Sequence, residues 1–433
     1  MLRAFSLSAC LFAAFTVSSI AQPDLRGHGG PVRALSISPD GVRAISGSFD
    51  TSAIVWALDR GRAQAILRVH DGSVNAVLAL PGERFITAGE DGRIALWKLG
   101  EDKPLHVTKA HDAPISGLAI SPDGRFIASS AWDGQARIAD VETGAEIRRL
   151  IGHKDNVNSV AYLSDGRIAT AAYDATVRIW PANGGEPTIV EFDTPLNALT
   201  ALPGNRVAAG GADGAVRIIG ADGAPSGKVD ATRTPIIALA ASADGRTIAA
   251  ASPRGAVALI DFPALRIRHT LSGPGLPVWS MAFAPDSTVL FTGGGDRLVR
   301  RWNAQTREHI GAVIAERPAD DFANLPAAAR ANTRGMEVFR ACAVCHTLRP
   351  DDENRAGPTL YGIFGRKAGA APGYNYSETF RKLDLVWTPE TVSRLSEIGP
   401  QAYTPGTKMP EQTVPGAEDR AALMEFLKAA TTP

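Results

Sequence analysis

The sequence is poor in cysteine and in aromatic residues, and it has no excess of charge of either sign. Its 433 residues include three cysteines, aromatic residues make up 6%, and 45 basic residues balance 45 acidic ones. The balanced charge gives no indication of binding to nucleic acid or to an anionic membrane. Three cysteines are too few for a disulfide scaffold. Beyond residue 21 no apolar run is long enough to span a bilayer, so we expect no membrane span.

The first 21 residues have the features of a secretory signal. Arg3 supplies positive charge, a mostly apolar run extends over residues 7–17, and small residues occupy positions 19 and 21. We therefore expect cleavage after Ala21, in a bacterium, and a periplasmic mature protein. Two alternatives stay open: a transmembrane anchor, for which the run is short, and lipid attachment at Cys10.

The region 22–316 contains seven copies of one pattern. In each copy a turn residue is followed six positions later by the residue that ends a strand, and the copies recur every 39 to 42 residues. Alternating apolar and polar residues between turn signals predict antiparallel strands. The pairs are Asp50/Trp56, Asp91/Trp97, Asp133/Ala139, Asp174/Trp180, Asp213/Ile219, Arg254/Ile260 and Asp296/Trp302.

These repeats resemble the WD40 family. The resemblance implies an all-β seven-bladed propeller, in which each blade is a four-stranded sheet that packs against its neighbours. It also implies that a histidine 21 or 22 positions before the turn aspartate forms a buried hydrogen bond with it. Four repeats have this histidine, namely His28, His70, His111 and His153.

The ring of blades must close, because an open sheet edge invites misassembly. Two segments could supply the outer strand of the seventh blade: residues 24–27 and residues 308–314. We favour the second segment because it is longer. The remaining propeller histidines, His106, His269 and His309, are expected near the outermost strands, where they would not converge on a common site.

The region 317–332 breaks the repeat with proline and alanine and is interpreted as a linker to a further domain, 333–433. There Cys342, Cys345 and His346 form a C-x-x-C-H motif. Two thiols at this spacing can add to the two vinyl groups of a haem, while the adjacent histidine reaches the iron. Zinc is an alternative, but it usually needs four ligands. A thioredoxin-like redox pair is another, but no βαβ pattern surrounds the motif.

The sequence from 333 to 428 also resembles class I cytochromes c of the mitochondrial type and their bacterial relatives. The resemblance implies an all-α domain with one covalently attached haem. It is carried by five blocks in the family's order: Gly357–Lys367, Ala371–Ser377, Trp387, Tyr403–Met409 and Glu418–Lys428.

The cytochrome resemblance implies specific roles around the haem iron. Cys342 and Cys345 would form the two thioether bonds, and His346 and Met409 would be the axial iron ligands. The carbonyl oxygen of Pro358 would accept a hydrogen bond from the His346 ring and so fix its tautomer. Methionine–histidine ligation raises the reduction potential.

Further residues would surround the edges of the haem. The resemblance implies that three of them bind the propionates and that one forms hydrogen bonds beside the methionine ligand. Two positions depart from the family, because Leu395 and Phe380 stand where a tyrosine and an asparagine are usual. The propionate partners would be Arg366, Tyr376 and Trp387, and the residue beside the methionine would be Thr407.

Three functions fit these observations. The first is a non-enzymatic periplasmic electron carrier, whose propeller docks a redox protein that donates or accepts electrons. The second is an oxidoreductase with its active site in the propeller and the cytochrome as an electron relay. The third is a redox-sensing scaffold, in which the oxidation state of the haem changes what the propeller binds. We favour the first, because the propeller sequence has no recognisable catalytic cluster.

Overall fold

A computed structural model describes residues 24–273, 275–311, 322, 325–350, 357–371, 374, 376, 378–405, 407, 409 and 412–432. The expected signal segment, 1–21, with Cys10, lies outside the described residues. Seven residues of the expected linker, 317–332, also lie outside, namely 317–321, 323 and 324. Within the described residues, no helix has the length and apolar character needed to cross a membrane.

Seven four-stranded antiparallel sheets form a closed ring, which confirms the predicted seven-bladed propeller. The first strands of neighbouring blades contact one another around the ring, and blade seven contacts blade one. Blade one comprises β2 (Val32–Ile37), β3 (Arg43–Ser48), β4 (Ala53–Ala57) and β5 (Arg62–Leu67). Blade two comprises β6 (Val74–Leu80), β7 (Arg84–Gly89), β8 (Arg93–Lys98) and β9 (His106–Lys109). Blade three comprises β10 (Ile115–Ile120), β11 (Phe126–Ala131), β12 (Gln135–Asp140) and β13 (Glu146–Ile151).

The remaining blades repeat this meander. Blade four comprises β14 (Val157–Tyr162), β15 (Ile168–Ala172), β16 (Thr176–Trp180) and β17 (Thr188–Glu191), and blade five comprises β18 (Leu196–Leu202), β19 (Arg206–Gly211), β20 (Ala215–Ile219) and β21 (Pro225–Asp230). Blade six comprises β22 (Ala238–Ala241), β23 (Thr247–Ala251), β24 (Ala256–Asp261) and β25 (Arg266–Ser272). Blade seven has β26 (Val278–Phe283), β27 (Val289–Gly294) and β28 (Leu298–Asn303), with β1 (Leu25–Arg26) as its outer strand.

Ring closure differs from the prediction. The outer strand of blade seven is β1, which pairs Leu25 with Val299, so our preference for residues 308–314 was wrong. The later segment still contributes, because His309 forms a single bridge with Trp302 at the other end of β28. The two segments are joined, since His309 Nε2 lies 2.8 Å from Asp24 Oδ1. The outer edge of β28 is thus divided between two short pieces of chain.

Buried hydrogen-bond networks stabilise the first four blades, as the WD40 resemblance implied. In blade one, His28 Nδ1 lies 3.0 Å from Asp50 Oδ2, and its Nε2 lies 2.8 Å from Ser46 Oγ. The indole of Trp56 donates to the same hydroxyl at 2.7 Å. Each network satisfies polar groups that would be costly to bury alone. The other pairs are His70–Asp91, His111–Asp133 and His153–Asp174.

Two blades without the histidine use arginine instead. In blade five the guanidinium of Arg217 donates to both carboxylate oxygens of Asp213, at 3.0 and 2.5 Å. In blade seven Arg300 Nε donates to Asp296 Oδ2 at 2.6 Å. In these two blades the turn aspartate is thus bound by a charged donor four residues further along the chain. The predicted outer positions of His106 and His269 are confirmed, since they lie on β9 and β25.

The described C-terminal residues form short helices around a separate apolar core. The cores of the propeller and of this region share no residues. Helix α2 packs on α6 where Gly335 leaves room, since a Cβ there would come within 2.6 Å of Phe426 Cβ. The helices are α1 (Ala327–Ala331), α2 (Thr333–Phe339), α3 (Glu378–Arg381), α4 (Pro389–Ile398), α5 (Pro400–Tyr403) and α6 (Ala417–Thr431), with a 3₁₀ turn at Cys342–Val344.

The buried histidines make the stability of the propeller depend on pH. Burial lowers the pKa of His111 and His153 below 6.5, although Asp133 and Asp174 oppose this effect. The unfolded chain therefore binds protons before the folded chain does as the pH falls. The stability that these histidines contribute is present above about pH 6.5 and is lost below it.

We expect the calorimetric melting temperature of the propeller to fall as the pH is lowered from about 7 to about 5. A variant with both His111→Gln and His153→Gln should melt at a lower temperature at neutral pH, because glutamine cannot rebuild the same hydrogen bonds. Its melting temperature should also depend less on pH over this interval. An equally steep dependence in the variant would show that other groups govern the effect.

Candidate functional site

The C-x-x-C-H residues lie in a tight turn directly after α2. The backbone N–H groups of Cys345 and His346 both donate to the carbonyl oxygen of Cys342, at 3.1 and 3.0 Å. This 3₁₀ geometry brings side chains three and four positions apart to the same side of the chain. Cys342, Cys345 and His346 consequently line one cavity.

The ring of His346 is held in a defined orientation. Its Nδ1 lies 2.8 Å from the carbonyl oxygen of Pro358, so the expected hydrogen bond is present. That bond places the ring hydrogen on Nδ1 and makes Nε2 the nitrogen with the lone pair. Gly357 is required beside the ring, because a Cβ there would come within 2.7 Å of Nδ1.

Met409 lines the same cavity from a different segment. Its backbone N–H donates to Thr407 Oγ1 at 3.1 Å, and the N–H of Thr407 donates to the carbonyl oxygen of Thr404 at 3.1 Å. Gln401 donates from its side chain to the carbonyl oxygen of Thr407 at 3.2 Å. Thr407 thus fixes the backbone that carries the methionine.

The other predicted residues also surround this cavity. Arg366 donates to the carbonyl oxygens of Thr359 and Tyr361, at 2.6 and 3.1 Å, and burial lowers the pKa of its guanidinium. Tyr376 stacks on Phe380 with ring centroids 5.2 Å apart, and burial raises its pKa to about 12. Trp387 is buried and belongs to the C-terminal apolar core. Arg366 and Tyr376 are therefore polar groups in a mostly apolar lining.

The nine residues selected from the sequence meet around one cavity. The two departures from the family, Leu395 and Phe380, line it as well, so apolar groups replace the usual polar ones there. The set consists of Cys342, Cys345, His346, Pro358, Arg366, Tyr376, Trp387, Thr407 and Met409.

The donor set of the cavity fits a haem. It combines two thiols with an oriented imidazole and a thioether, and most of its wall is apolar. Burial raises the pKa of the Cys342 thiol to about 11, so this sulfur stays protonated at neutral pH. A redox-active cysteine would instead need a stabilised thiolate. Over the described parts of the chain, no three histidine, cysteine, aspartate or glutamate side chains group as a metal site.

Propeller residues that were not predicted also lie at this site. Asp50 of blade one lines the same cavity, and Gly29 lies against Cys345. The guanidinium of Arg68 lies 4.3 Å from the ring centroid of Tyr374. One signal was present in the repeats: blade one alone among the four histidine-bearing blades has glycine directly after the histidine.

Comparison with known proteins gives one kind of match for the propeller and another for the C-terminal part. The family model "WD domain, G-beta repeat" matches residues 20–57, 61–98, 102–140, 144–181 and 265–303. These matches correspond to blades one to four and blade seven, and blades five and six have the most altered repeats.

The C-terminal part is similar to curated cytochromes. The cytochrome c of Gibberella zeae is 37% identical over 99 residues, which is 23% of this chain and 92% of that protein. The cytochrome c2 of Rhodopila globiformis is 42% identical over 95 residues, covering 22% of this chain and 88% of that protein. The cytochrome c2 of Blastochloris viridis is 38% identical over 103 residues, covering 24% of this chain and 80% of that protein.

Proposed function

We propose that this chain, which belongs to the cytochrome c family through its C-terminal part, is a periplasmic electron carrier with one covalently bound haem. It carries WD repeats ahead of that part. In this proposal the region 333–433 is an all-α class I cytochrome c domain. The expected linker, 317–332, packs against this domain, because Phe322 and Ala329 belong to its apolar core. The propeller, 22–316, is a docking platform for the redox proteins that donate and accept the electron.

The observation that carries the proposal is the convergence on one apolar cavity. Cys342 and Cys345 would attach the haem, while His346 and Met409 would be the iron ligands. Since the protein would supply both axial ligands, no iron coordination position would be left for a substrate. This favours electron transfer over substrate chemistry.

When bound, the haem would supply one-electron exchange between ferrous and ferric iron. The chain's residues set the conditions for that exchange. The hydrogen bond from His346 to Pro358 keeps the ring in one tautomer and orientation. Apolar groups such as Leu395 and Phe380 would keep water away from the haem, while Arg366 and Tyr376, which also line the cavity, would donate to its propionates.

Exposed aromatic side chains support the docking role of the propeller. Three blades have one directly before the turn aspartate: Phe49, Trp132 and Tyr173, which are 44%, 49% and 51% exposed. Because the position is the same in each blade, these side chains lie on the same rim of the ring. Large aromatic residues are enriched at protein interfaces.

The periplasmic location is also part of the proposal. It is supported by the composition of residues 1–21, which is typical of a secretory signal.

We expect the haem to stay on the chain after acid–acetone extraction, because thioether bonds to Cys342 and Cys345 do not depend on the fold. The measurement is the haem absorbance of the precipitated protein and of the extract. A variant with Cys342→Ala and Cys345→Ala should release whatever haem it binds. Haem in the extract of the unaltered protein would contradict covalent attachment.

We expect Met409→Ala to open one axial position while His346 and the thioethers keep the haem in place. The reduction potential should fall, and carbon monoxide should bind the ferrous protein readily, as absorption spectroscopy would show. Met336→Ala is the matched control, since Met336 packs against the C-terminal core outside the cavity lining. An unchanged spectrum and potential in Met409→Ala would mean that another residue is the ligand.

A further inference from the structure

The C-terminal part lies against blade one at the cysteine turn. The closest approach is at Gly29, where a Cβ would overlap Cys345 Sγ and would lie 3.6 Å from Cys345 Cβ. Glycine therefore allows the turn to approach the propeller backbone more closely than any other residue would permit.

The backbone of blade one does not itself require this glycine. The φ angle of Gly29 is not positive. Its N–H donates to the turn carboxylate at 2.7 Å, and the residues at the same register of blades two and four, Asp71 and Lys154, make the same bond at 3.0 Å. Blade three has Asp112 at this position. A side chain is thus compatible with the loop, and what glycine provides here is room for Cys345.

A second contact lies beside the first. The Arg68 guanidinium faces the ring of Tyr374 at 4.3 Å from its centroid, a distance suited to a cation–π interaction. Arg68 is buried, and Tyr374 lines the haem-site cavity. The equivalent residue of blade two, Lys109, instead donates to the carbonyl oxygen of Asp91 in its own blade.

Asp50 brings a fixed carboxylate to the same wall. Its oxygens accept hydrogen bonds from Gly29 N at 2.7 Å, Ser52 N at 2.9 Å and Ser52 Oγ at 2.6 Å, and His28 Nδ1 lies 3.0 Å away. Burial would raise its pKa, but His28 and Ser52 together lower it to about 2. The carboxylate is therefore ionised at neutral pH.

We propose that blade one is the outer wall of the haem pocket: Gly29 admits Cys345, Arg68 holds Tyr374, and Asp50 places a negative charge at the cavity. This inference rests on the proposed haem attachment. Blade one then shields the side of the pocket at Cys345, so a redox partner exchanges electrons elsewhere. A negative charge near the iron favours the ferric state and lowers the reduction potential.

The contact between blade one and the cysteine turn is tested first by adding a side chain at position 29 of the full-length, haem-loaded protein. Gly29→Asp copies the residue of blades two and three, and its Cβ should push the cysteine turn away. Hydrogen exchange measured by mass spectrometry should then rise in peptides that contain Gly29 and in those that contain Tyr374. Lys154→Asp places the same residue at the same register of blade four, and it should not change hydrogen exchange in either set of peptides. Unchanged exchange at both sites in Gly29→Asp would overturn the proposal.

The effect of the Asp50 charge is tested by measuring the midpoint reduction potential of the haem. Asp50→Asn should raise it, whereas Asp91→Asn, which removes the same network carboxylate from blade two, should leave it unchanged. Equal potentials in the two variants would overturn the role of Asp50. A chain without attached haem would give no potential to measure, while the exchange experiment would still report on the contact. Failure of the proposed function is therefore distinguishable from failure of this inference.

Discussion

The hydrogen-bond network around Asp50 is the constraint on which both parts of the molecule depend. A buried carboxylate is costly unless donors surround it, and Asp50 receives them from the backbone of Gly29 and from Ser52, with His28 alongside. These bonds fix the loop after β1 against the turn between β3 and β4. The histidine–aspartate pair recurs in the next three blades, where it stabilises the ring alone. In blade one it also shapes the surface against which the cysteine turn packs.

The haem site combines several short segments, each of which is held by local bonds. The 3₁₀ turn places the two sulfur atoms, the carbonyl of Pro358 orients His346, and Thr407 fixes the backbone at Met409. None of these segments belongs to a long helix, so their arrangement depends on the apolar core between α2 and α6. This explains how a site for a large group is formed with little regular secondary structure around it.

The repeats were predictable because each blade has the same turn and strand pattern, and the buried histidines follow from the same register. Closure was predicted wrongly, since β1 has only two paired residues, Leu25 and Arg26, and so short a strand has no periodic pattern to detect. The residues around the cavity came from family motifs. The contact with blade one could not be predicted, because apolar patterns report the core within a domain and this contact uses Gly29, Asp50 and Arg68.

The central claim is that an iron held by His346 and Met409 makes this chain an electron carrier. Proton NMR of the ferrous full-length protein tests it most directly, because the haem ring current shifts the methyl group of a methionine ligand far upfield. We expect one such methyl resonance, which disappears in Met409→Ala and persists in Met336→Ala. A ferrous spectrum of the unaltered, haem-loaded protein without that resonance would show that methionine does not bind the iron.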